Sequence, residues 1–194
     1  AFGSRLPCQG VGKPMAEAVE PIRWKGDRLE LLDQRLLPDQ MVYVTCRTAA
    51  EVANAIRDMA VRGAPAIGCA AAFGVVLGKG SKEAYEVLAK SRPTAVNLFW
   101  ALERMRRVAG EHREMAPAAL WERLEQEASA IYEEDLEMSR RIGAAAREVI
   151  AESAGILTHC NAGGLATSGL GTALACAYVA HADGKAIRVY ADET

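Results

Sequence analysis

Polar and apolar residues alternate in short runs near the beginning of the chain. Residues 21–38 predict short strands around a Lys-Gly-Asp turn at 25–27, and Met41–Thr45 is a further β-rich run. We therefore expect a small sheet at the beginning of the fold. The preceding residues 1–14 show no periodicity and run into Met15, so we expect them to be a leader or tag-like segment outside the fold.

Helical spacing follows this sheet. Thr48 and Glu51 form the S/T-x-x-E pattern of a capping box, and the apolar residues behind it predict a helix over about residues 49–61. The run from Ala66 to Leu77 is apolar on every side, which predicts a buried helix. Two amphipathic helices are predicted farther along, with apolar stripes made of Leu98, Leu102, Met105 and Val108 and of Trp121, Leu124, Ala128, Ile131 and Met138.

The pattern changes again at about residue 154. Ile156–Cys160 predicts a strand, Asn161–Gly164 a glycine-rich turn, Thr167–Ala182 a helix of small residues, and Ala186–Tyr190 a second strand. This order of elements is the opening unit of a parallel α/β sheet. Two parallel strands cannot cover both of their faces, so we expect the chain to be a fragment or to be completed by a second polypeptide.

Composition narrows the class of protein. The 194 residues are 51% hydrophobic, and 23 basic side chains nearly balance 25 acidic ones, which is typical of a folded globular protein rather than a disordered one. The net charge of −2 offers no general attraction for nucleic acid or for an anionic membrane, so any anion site must be local. Neither a transmembrane run nor a signal peptide is visible, and we expect a cytoplasmic protein without nucleic-acid or membrane partners.

The cysteines are odd in number, scattered, and never in a C-x-x-C pair; they are Cys8, Cys46, Cys69, Cys160 and Cys176. This distribution predicts reduced thiols rather than a disulfide framework or a structural zinc site.

A candidate anion site lies at the start of the buried helix. Arg62 and Gly63 precede it, and the free backbone N–H groups of a helix N-terminus bind anions that an arginine can also hold through two hydrogen bonds. Arg92 lies before the next predicted helix and could reach the same anion. The alternative is a tight turn between helices with both arginines in solvent, and the local sequence does not decide between the two.

Cys160 is the candidate reactive group. It lies at the carboxyl end of a predicted strand and beside a glycine-rich turn, which is where open α/β sheets bind ligands, and a nearby helix N-terminus favours the thiolate. The alternative is a buried structural cysteine. His159 is its neighbour on the same strand, so alternation places the two on opposite faces and predicts a packing or supporting role for His159.

Asp135 falls on the apolar stripe of its helix, where an unpaired carboxylate would be costly to bury. We expect it either to have a structural partner such as an arginine or to lie near the site.

Common nucleotide and hydrolase motifs are absent. Gly164 and Gly169 have the spacing of a P-loop, but Leu170 stands in place of the lysine, and the following glycines lack the last member of G-x-G-x-x-G. Neither H-E-x-x-H nor G-x-S-x-G occurs. These absences disfavour a dinucleotide dehydrogenase, a metalloenzyme and a serine hydrolase.

Together, five segments resemble a known family. They are VRGAPAIG (61–68), SRPTAVNL (91–98), ILTHCNAGGLAT (156–167), GLGTALA (169–175) and the terminal VYADET. In this order they resemble the methylthioribose-1-phosphate isomerases of methionine salvage, a family shared with the regulatory subunits of translation initiation factor 2B and with ribose-1,5-bisphosphate isomerase.

The resemblance implies an α/β fold: a mostly helical N-terminal domain with a small antiparallel sheet (15–153), then the start of a Rossmann-like parallel-sheet domain, truncated in this chain (154–194). It implies a homodimer that converts 5-methylthioribose 1-phosphate into 5-methylthioribulose 1-phosphate without metal or cofactor. The substrate-binding residues carried over are Arg62, Gly63, Ala64 and Arg92, and Cys160 is the catalytic thiol.

The family's proton-donating aspartate has no counterpart in these 194 residues. We therefore expect this chain to be inactive alone and to need a complementing C-terminal fragment. Two alternatives remain open at this point: a regulatory binding subunit of the initiation-factor type, which would not need the thiol, and a ribose-1,5-bisphosphate isomerase, which would need a second phosphate site.

Overall fold

The computed structural model describes residues 19–192. The leader-like segment 1–14, Met15, Cys8 and the last two residues of the terminal motif lie outside the described residues.

The described chain begins with a three-stranded antiparallel sheet, as the alternating pattern predicts. The strands are β1 (Ile22–Trp24), β2 (Leu29–Leu32) and β3 (Tyr43–Cys46), in the order β1-β2-β3. Gly26 makes the first turn with a φ of 82°, a left-handed conformation that glycine adopts without strain. The sheet buries one face against the helices through Ile22, Leu29, Leu31 and Cys46.

Five helices follow: α1 (Ala49–Arg57), α2 (Ala64–Leu77), α3 (Lys82–Ala89), α4 (Val96–Glu111) and α5 (Pro117–Val149). The capping box of α1 is present, with the Thr48 hydroxyl accepting from the Glu51 N–H at 3.2 Å. This helix ends earlier than the predicted residue 61 because Met59 takes a left-handed φ of 59°. The short α3 was not predicted.

Helix α2 is the centre of the core. It is buried on all sides, as its composition predicts, and it contacts α1, α4, α5 and the sheet. Phe73 of α2 stacks on Trp24 with ring centroids 5.0 Å apart and meets the edge of Tyr132 at 6.4 Å. These rings join the sheet, α2 and α5 into one apolar body.

The buried stripe of α5 departs from the prediction at Met138, which is 57% exposed. Leu124, Ala128 and Ile131 are buried as expected, but farther along the buried positions are Ser139, Gly143 and Ala146. Residues spaced seven apart rotate gradually around the axis of a straight α-helix, so the buried face moves from the position of Met138 to the next residue, Ser139. The second half of α5 faces a later helix, where a Cβ on Gly143 would lie 2.6 Å from Val179.

The β-α-β unit at the end of the described chain is confirmed. Strand β4 (Ser153–Thr158) pairs in parallel with β5 (Ala186–Ala191), and α6 (Ala173–Ala182) connects them. The strand ends two residues before the predicted Cys160, and the helix begins six residues after the predicted Thr167. Residues 161–172, here called the glycine-rich segment, fill the interval and include one short 3-10 helix. No helix among residues 19–192 is long and apolar enough to cross a membrane.

Candidate active site

A cavity of about 350 Å³ lies between the beginning of α2 and the glycine-rich segment. Its walls come from Gln34 and Leu37 in the loop after β2, from Arg62, from residues 160–166, and from Leu174 and Tyr178 at α6. The cavity therefore brings together Arg62 and Cys160, which are 98 positions apart in the chain. Its size is within the range of small-molecule sites.

Gly63 lets α2 approach this wall. It precedes the helix with φ 92° and ψ 138°, a conformation that side chains rarely adopt, and its carbonyl accepts the N–H of Ile67 at 3.0 Å. A Cβ on Gly63 would lie 2.5 Å from the Cβ of Ala166 and 2.6 Å from its carbonyl oxygen. Only a glycine at this position allows the helix N-terminus and the glycine-rich segment to touch.

The other two predicted binding residues lie differently. Ala64 is exposed as the first residue of α2. Arg92 is half-buried in the turn before α4, where its carbonyl accepts the N–H of Ala95 at 3.0 Å, and it is not among the residues that line the cavity. The structure thus joins Arg62, Gly63 and Cys160 at one place and leaves Arg92 outside the cavity wall.

Cys160 is exposed and has a φ of 65°. A non-glycine residue in this region carries strain of about 1–3 kcal/mol, which persists only where the surrounding structure holds it. Because the strand ends at Thr158, the alternation used to place His159 does not extend to Cys160. His159 does not pack in the core: its side chain is 71% exposed, and its Nδ1 lies 2.9 Å from Asp192 Oδ2 at the end of β5.

The four described cysteines are free thiols with different environments. Burial raises the pKa of Cys46 to about 11. Burial, with a smaller contribution from the Asp135 carboxylate, raises the pKa of Cys69 far above its ordinary value. Cys176 is half-buried. Cys160 is the exposed thiol of the four, and it is the one that faces the cavity.

The glycine-rich segment is held in shape by its own hydrogen bonds. The Thr167 hydroxyl oxygen accepts the N–H groups of Gly169 at 3.1 Å and Gly171 at 3.0 Å. The Ala162 carbonyl accepts the N–H of Thr172 at 2.9 Å. A Cβ on Gly164 would overlap the carbonyl oxygen of Gly169, so this part of the chain depends on glycine for close backbone contact.

The partner of Asp135 is a backbone N–H group and not the arginine that the sequence suggested. Its Oδ2 accepts the backbone N–H of Ser168 at 2.7 Å, and Tyr132, one turn earlier on α5, donates its hydroxyl to the Ser168 carbonyl at 3.0 Å. Burial raises the pKa of Tyr132 to about 12, so the hydroxyl keeps its proton at neutral pH. Asp135 is therefore linked to the segment that forms the cavity wall.

Sequence reasoning missed Gln34 and Leu37. Gln34 donates its side-chain amide to the Leu165 carbonyl at 2.7 Å, and its loop is fixed by Asp33, which holds Arg35 through both carboxylate oxygens at 2.8 and 2.6 Å. A lone glutamine in a loop carries no periodic or motif signal. Only the tertiary fold places it beside a segment 131 residues away.

The chemistry available in this cavity is anion binding next to a thiol. Among residues 19–192, the residues that line it include Arg62 as the one charged side chain and no carboxylate. Leu37, Leu174 and the Tyr178 ring add apolar surface. In the described part of the chain, no three His, Cys, Asp or Glu side chains are grouped so that they could hold a metal ion.

Comparison with known proteins identifies similar chains. Residues 60–194 match the profile of the initiation factor 2 subunit family. A 5-deoxyribose 1-phosphate isomerase from Bacillus thuringiensis (strain Al Hakam) is 49% identical over 93% of this chain and 56% of its own length. A methylthioribose-1-phosphate isomerase from Geobacter sulfurreducens is 48% identical over 89% of this chain and 54% of its own length.

Two solved structures share the fold. The 5-methylthioribose 1-phosphate isomerase from Pyrococcus horikoshii OT3 has a TM-score of 0.83 at 36% identity, over 90% of this chain and 60% of that one. The delta subunit of the translation initiation factor eIF-2B from A. fulgidus has a TM-score of 0.78 at 38% identity, over 91% and 55%. The chain spans about half the length of the curated relatives it matches.

Proposed function

The chain belongs to the initiation factor 2 subunit family, and from this premise we propose that it is part of a sugar-phosphate isomerase. The proposed substrate is 5-methylthioribose 1-phosphate and the product 5-methylthioribulose 1-phosphate, as in methionine salvage. The meeting of Arg62 and Cys160 at one cavity is the observation that carries the proposal. The names of the similar proteins, isomerases of 1-phosphorylated pentoses without an oxygen at C5, support it.

The proposed chemistry assigns a task to each group. Arg62 and the backbone N–H groups at the start of α2 bind the phosphate, since a guanidinium and a helix N-terminus both favour an anion. The phosphate on C1 blocks simple ring opening, so the ring opens under acid catalysis and the hydrogen on C2 then moves to C1. Cys160 is the proposed catalytic thiol, placed to stabilise charge or transfer a proton at the reacting carbons.

A substituent without charge at C5 fits the cavity better than a second phosphate. Leu37, Leu174 and Tyr178 offer apolar surface, and Arg62 is the single cation of the lining among the described residues. A ribose 1,5-bisphosphate would need further cations for its second phosphate. Competition between the methylthio sugar and the bisphosphate for the chain checks this preference, and tighter binding of the bisphosphate would contradict it.

We further propose that these 194 residues bind the substrate but do not turn it over alone. The reaction needs an acid, and the cavity lining within residues 19–192 contains no carboxylate. The longer relatives offer additional residues that could supply it. Because two parallel strands leave faces uncovered, we also propose that residues 154–194 open a second domain. The family resemblance supports the proposal that the working enzyme is a homodimer.

Phosphorus NMR of methylthioribose 1-phosphate tests the activity. We expect binding without conversion by this chain and conversion by a longer protein that contains it. In the longer protein, Cys160→Ser should abolish conversion and leave substrate binding intact. Arg62→Met should weaken substrate binding at least tenfold. Arg57→Met is the matched control, because Arg57 is an exposed arginine on α1 whose Nη1 bonds only to Asn54 in the described structure.

A regulatory binding subunit is the second candidate, favoured by the similarity to the A. fulgidus eIF-2B delta subunit. Such a protein would use the same fold and anion site without a catalytic thiol. If the longer protein binds sugar phosphates, shows no conversion, and is unaffected by Cys160→Ser, this candidate replaces the isomerase.

A further inference from the structure

Two polar side chains of α5 reach one residue of the glycine-rich segment. Asp135 and Tyr132 are three positions apart and so lie on the same side of the helix. The Asp135 carboxylate accepts the N–H of Ser168 at 2.7 Å, and the Tyr132 hydroxyl donates to its carbonyl at 3.0 Å. Both backbone polar groups of Ser168 are thus held by α5, and Ser168 is 1% exposed.

This attachment determines where the cavity wall stands. Thr167, next to Ser168, is fully buried and organises Gly169 and Gly171 through its hydroxyl oxygen. Immediately before Thr167, the 3-10 helix Gly164–Ala166 lines the cavity. A shift of the Ser168 peptide would therefore move the wall relative to the beginning of α2.

The segment has a second attachment on the opposite side. Gln34 donates to the Leu165 carbonyl at 2.7 Å, and Gly63 touches Ala166. The wall is thereby held between the loop after β2, the start of α2, and α5. Of these three supports, the one from α5 includes a charged acceptor, and charge-assisted hydrogen bonds are the stronger ones.

We propose that Asp135 and Tyr132 are positioning residues, which hold the glycine-rich segment at the distance from Arg62 that a bound phosphate requires. Neither residue lines the cavity, so they act through Ser168. For the identity of the ligand this inference rests on the proposed function. For the position of the segment it stands on the described hydrogen bonds.

The first test measures binding of methylthioribose 1-phosphate by calorimetry. Asp135→Ala removes the acceptor and should weaken affinity about tenfold or more, whereas Asp135→Asn keeps an oxygen acceptor and should stay within about threefold of the parent. Tyr132→Phe, which keeps the ring and removes the hydroxyl, should weaken affinity in the same direction. Glu133→Gln is the matched control, because Glu133 lies beside them on α5 and is exposed.

The second test does not depend on the sugar. Alkylation of Cys160 by iodoacetamide is followed by mass spectrometry, with half-buried Cys176 in the same sample as the internal reference. Cys160 is already exposed, but the held segment fixes its left-handed backbone and the direction of its thiol. Loosening the segment lets both relax, so Asp135→Ala should change the ratio of Cys160 to Cys176 labelling by about threefold or more. Asp135→Asn should restore the parent ratio.

The outcomes distinguish a failure of the positioning role of Asp135 and Tyr132 from a failure of the proposed function. If Asp135→Ala and Tyr132→Phe lower the unfolding midpoint while affinity and the labelling ratio stay at the parent values, the two residues are merely structural and the inference is wrong. If the parent chain binds no sugar phosphate, the proposed function fails, and the labelling ratio alone decides the positioning role. If Asp135→Ala does not fold, Tyr132→Phe carries both measurements.

Discussion

Replacing Gly63 by alanine tests the close contact on which the candidate site is built. Gly63 stands between Arg62 and α2 with φ 92°, and an added Cβ would lie 2.5 Å from the Cβ of Ala166. Two separate costs are expected. The backbone conformation disfavours a side chain, and the methyl group overlaps the wall of the cavity.

The magnitude follows from these two costs. A side chain in a sparsely populated backbone region costs about 1–3 kcal/mol. Overpacking a tight contact costs about 1–3 kcal/mol more. We therefore expect Gly63→Ala to lower the free energy of unfolding by about 2–6 kcal/mol. Because relief of the overlap moves Ala166 away from α2, the anion site should also bind phosphate more weakly.

Gly26→Ala is the matched control. Gly26 also has a positive φ, of 82°, but no atom lies within 4 Å of an added Cβ. It should show the backbone cost alone, about 1–2 kcal/mol, and unchanged phosphate affinity. Urea unfolding followed by circular dichroism, with phosphate titrations on the same samples, provides both readouts. Equal losses of stability in the two variants would refute the close contact of Gly63 with Ala166.

Three further changes test other supports of the fold. Lys185→Met removes an ammonium group that donates to two carbonyl oxygens at the C-terminal end of α5, and should cost about 1–2 kcal/mol in urea unfolding. Gly110→Ala, exposed in the last turn of α4 with open space around it, should stabilise by about 0.5–1 kcal/mol. The Arg35 guanidinium holds the pKa of the Asp33 carboxyl below its ordinary value. This ion pair therefore stabilises the fold fully at pH values above the pKa that Asp33 has in the unfolded chain, and the stabilisation is lost as the pH falls through the lower pKa of Asp33 in the folded protein. The stability lost in Asp33→Asn should be full at pH 7 and vanish in acid, and a loss that persists at pH 2 would contradict the assignment.

Local patterns predicted most elements because their signals are short-range. The capping box marked the start of α1, and the all-round apolar run marked α2 as buried. The eight-residue α3 was missed because it offers little more than two turns of spacing. The prediction for Met138 was wrong because the buried face rotates around α5 along its length, and the second half of the helix packs against α6.

The candidate site was predictable only in part. Arg62 and Cys160 carry recognisable chemistry at the ends of elements, so sequence reasoning could single out both as candidates, and the structure places both at one cavity. Gln34 carries no such signal, because its role arises from a contact with a distant backbone carbonyl. Asp135 was noticed as an anomaly on an apolar stripe, but its partner, a peptide N–H, cannot be read from residue types.

The end of β4 explains how the thiol and the arginine come to share a cavity. Thr158 is the last residue of β4 in the parallel ladder, and its carbonyl accepts the N–H of Asp192 beyond β5. Two residues later Cys160 takes a left-handed φ, which turns the chain out of the strand direction, and residues 160–166 then form the wall that faces Arg62. Had the strand continued to Cys160, alternation would govern where the thiol points, and the glycine-rich segment would begin later. The strain at Cys160 is thus tied to the placement of its thiol, because the turn that creates the strain also brings the segment to the start of α2.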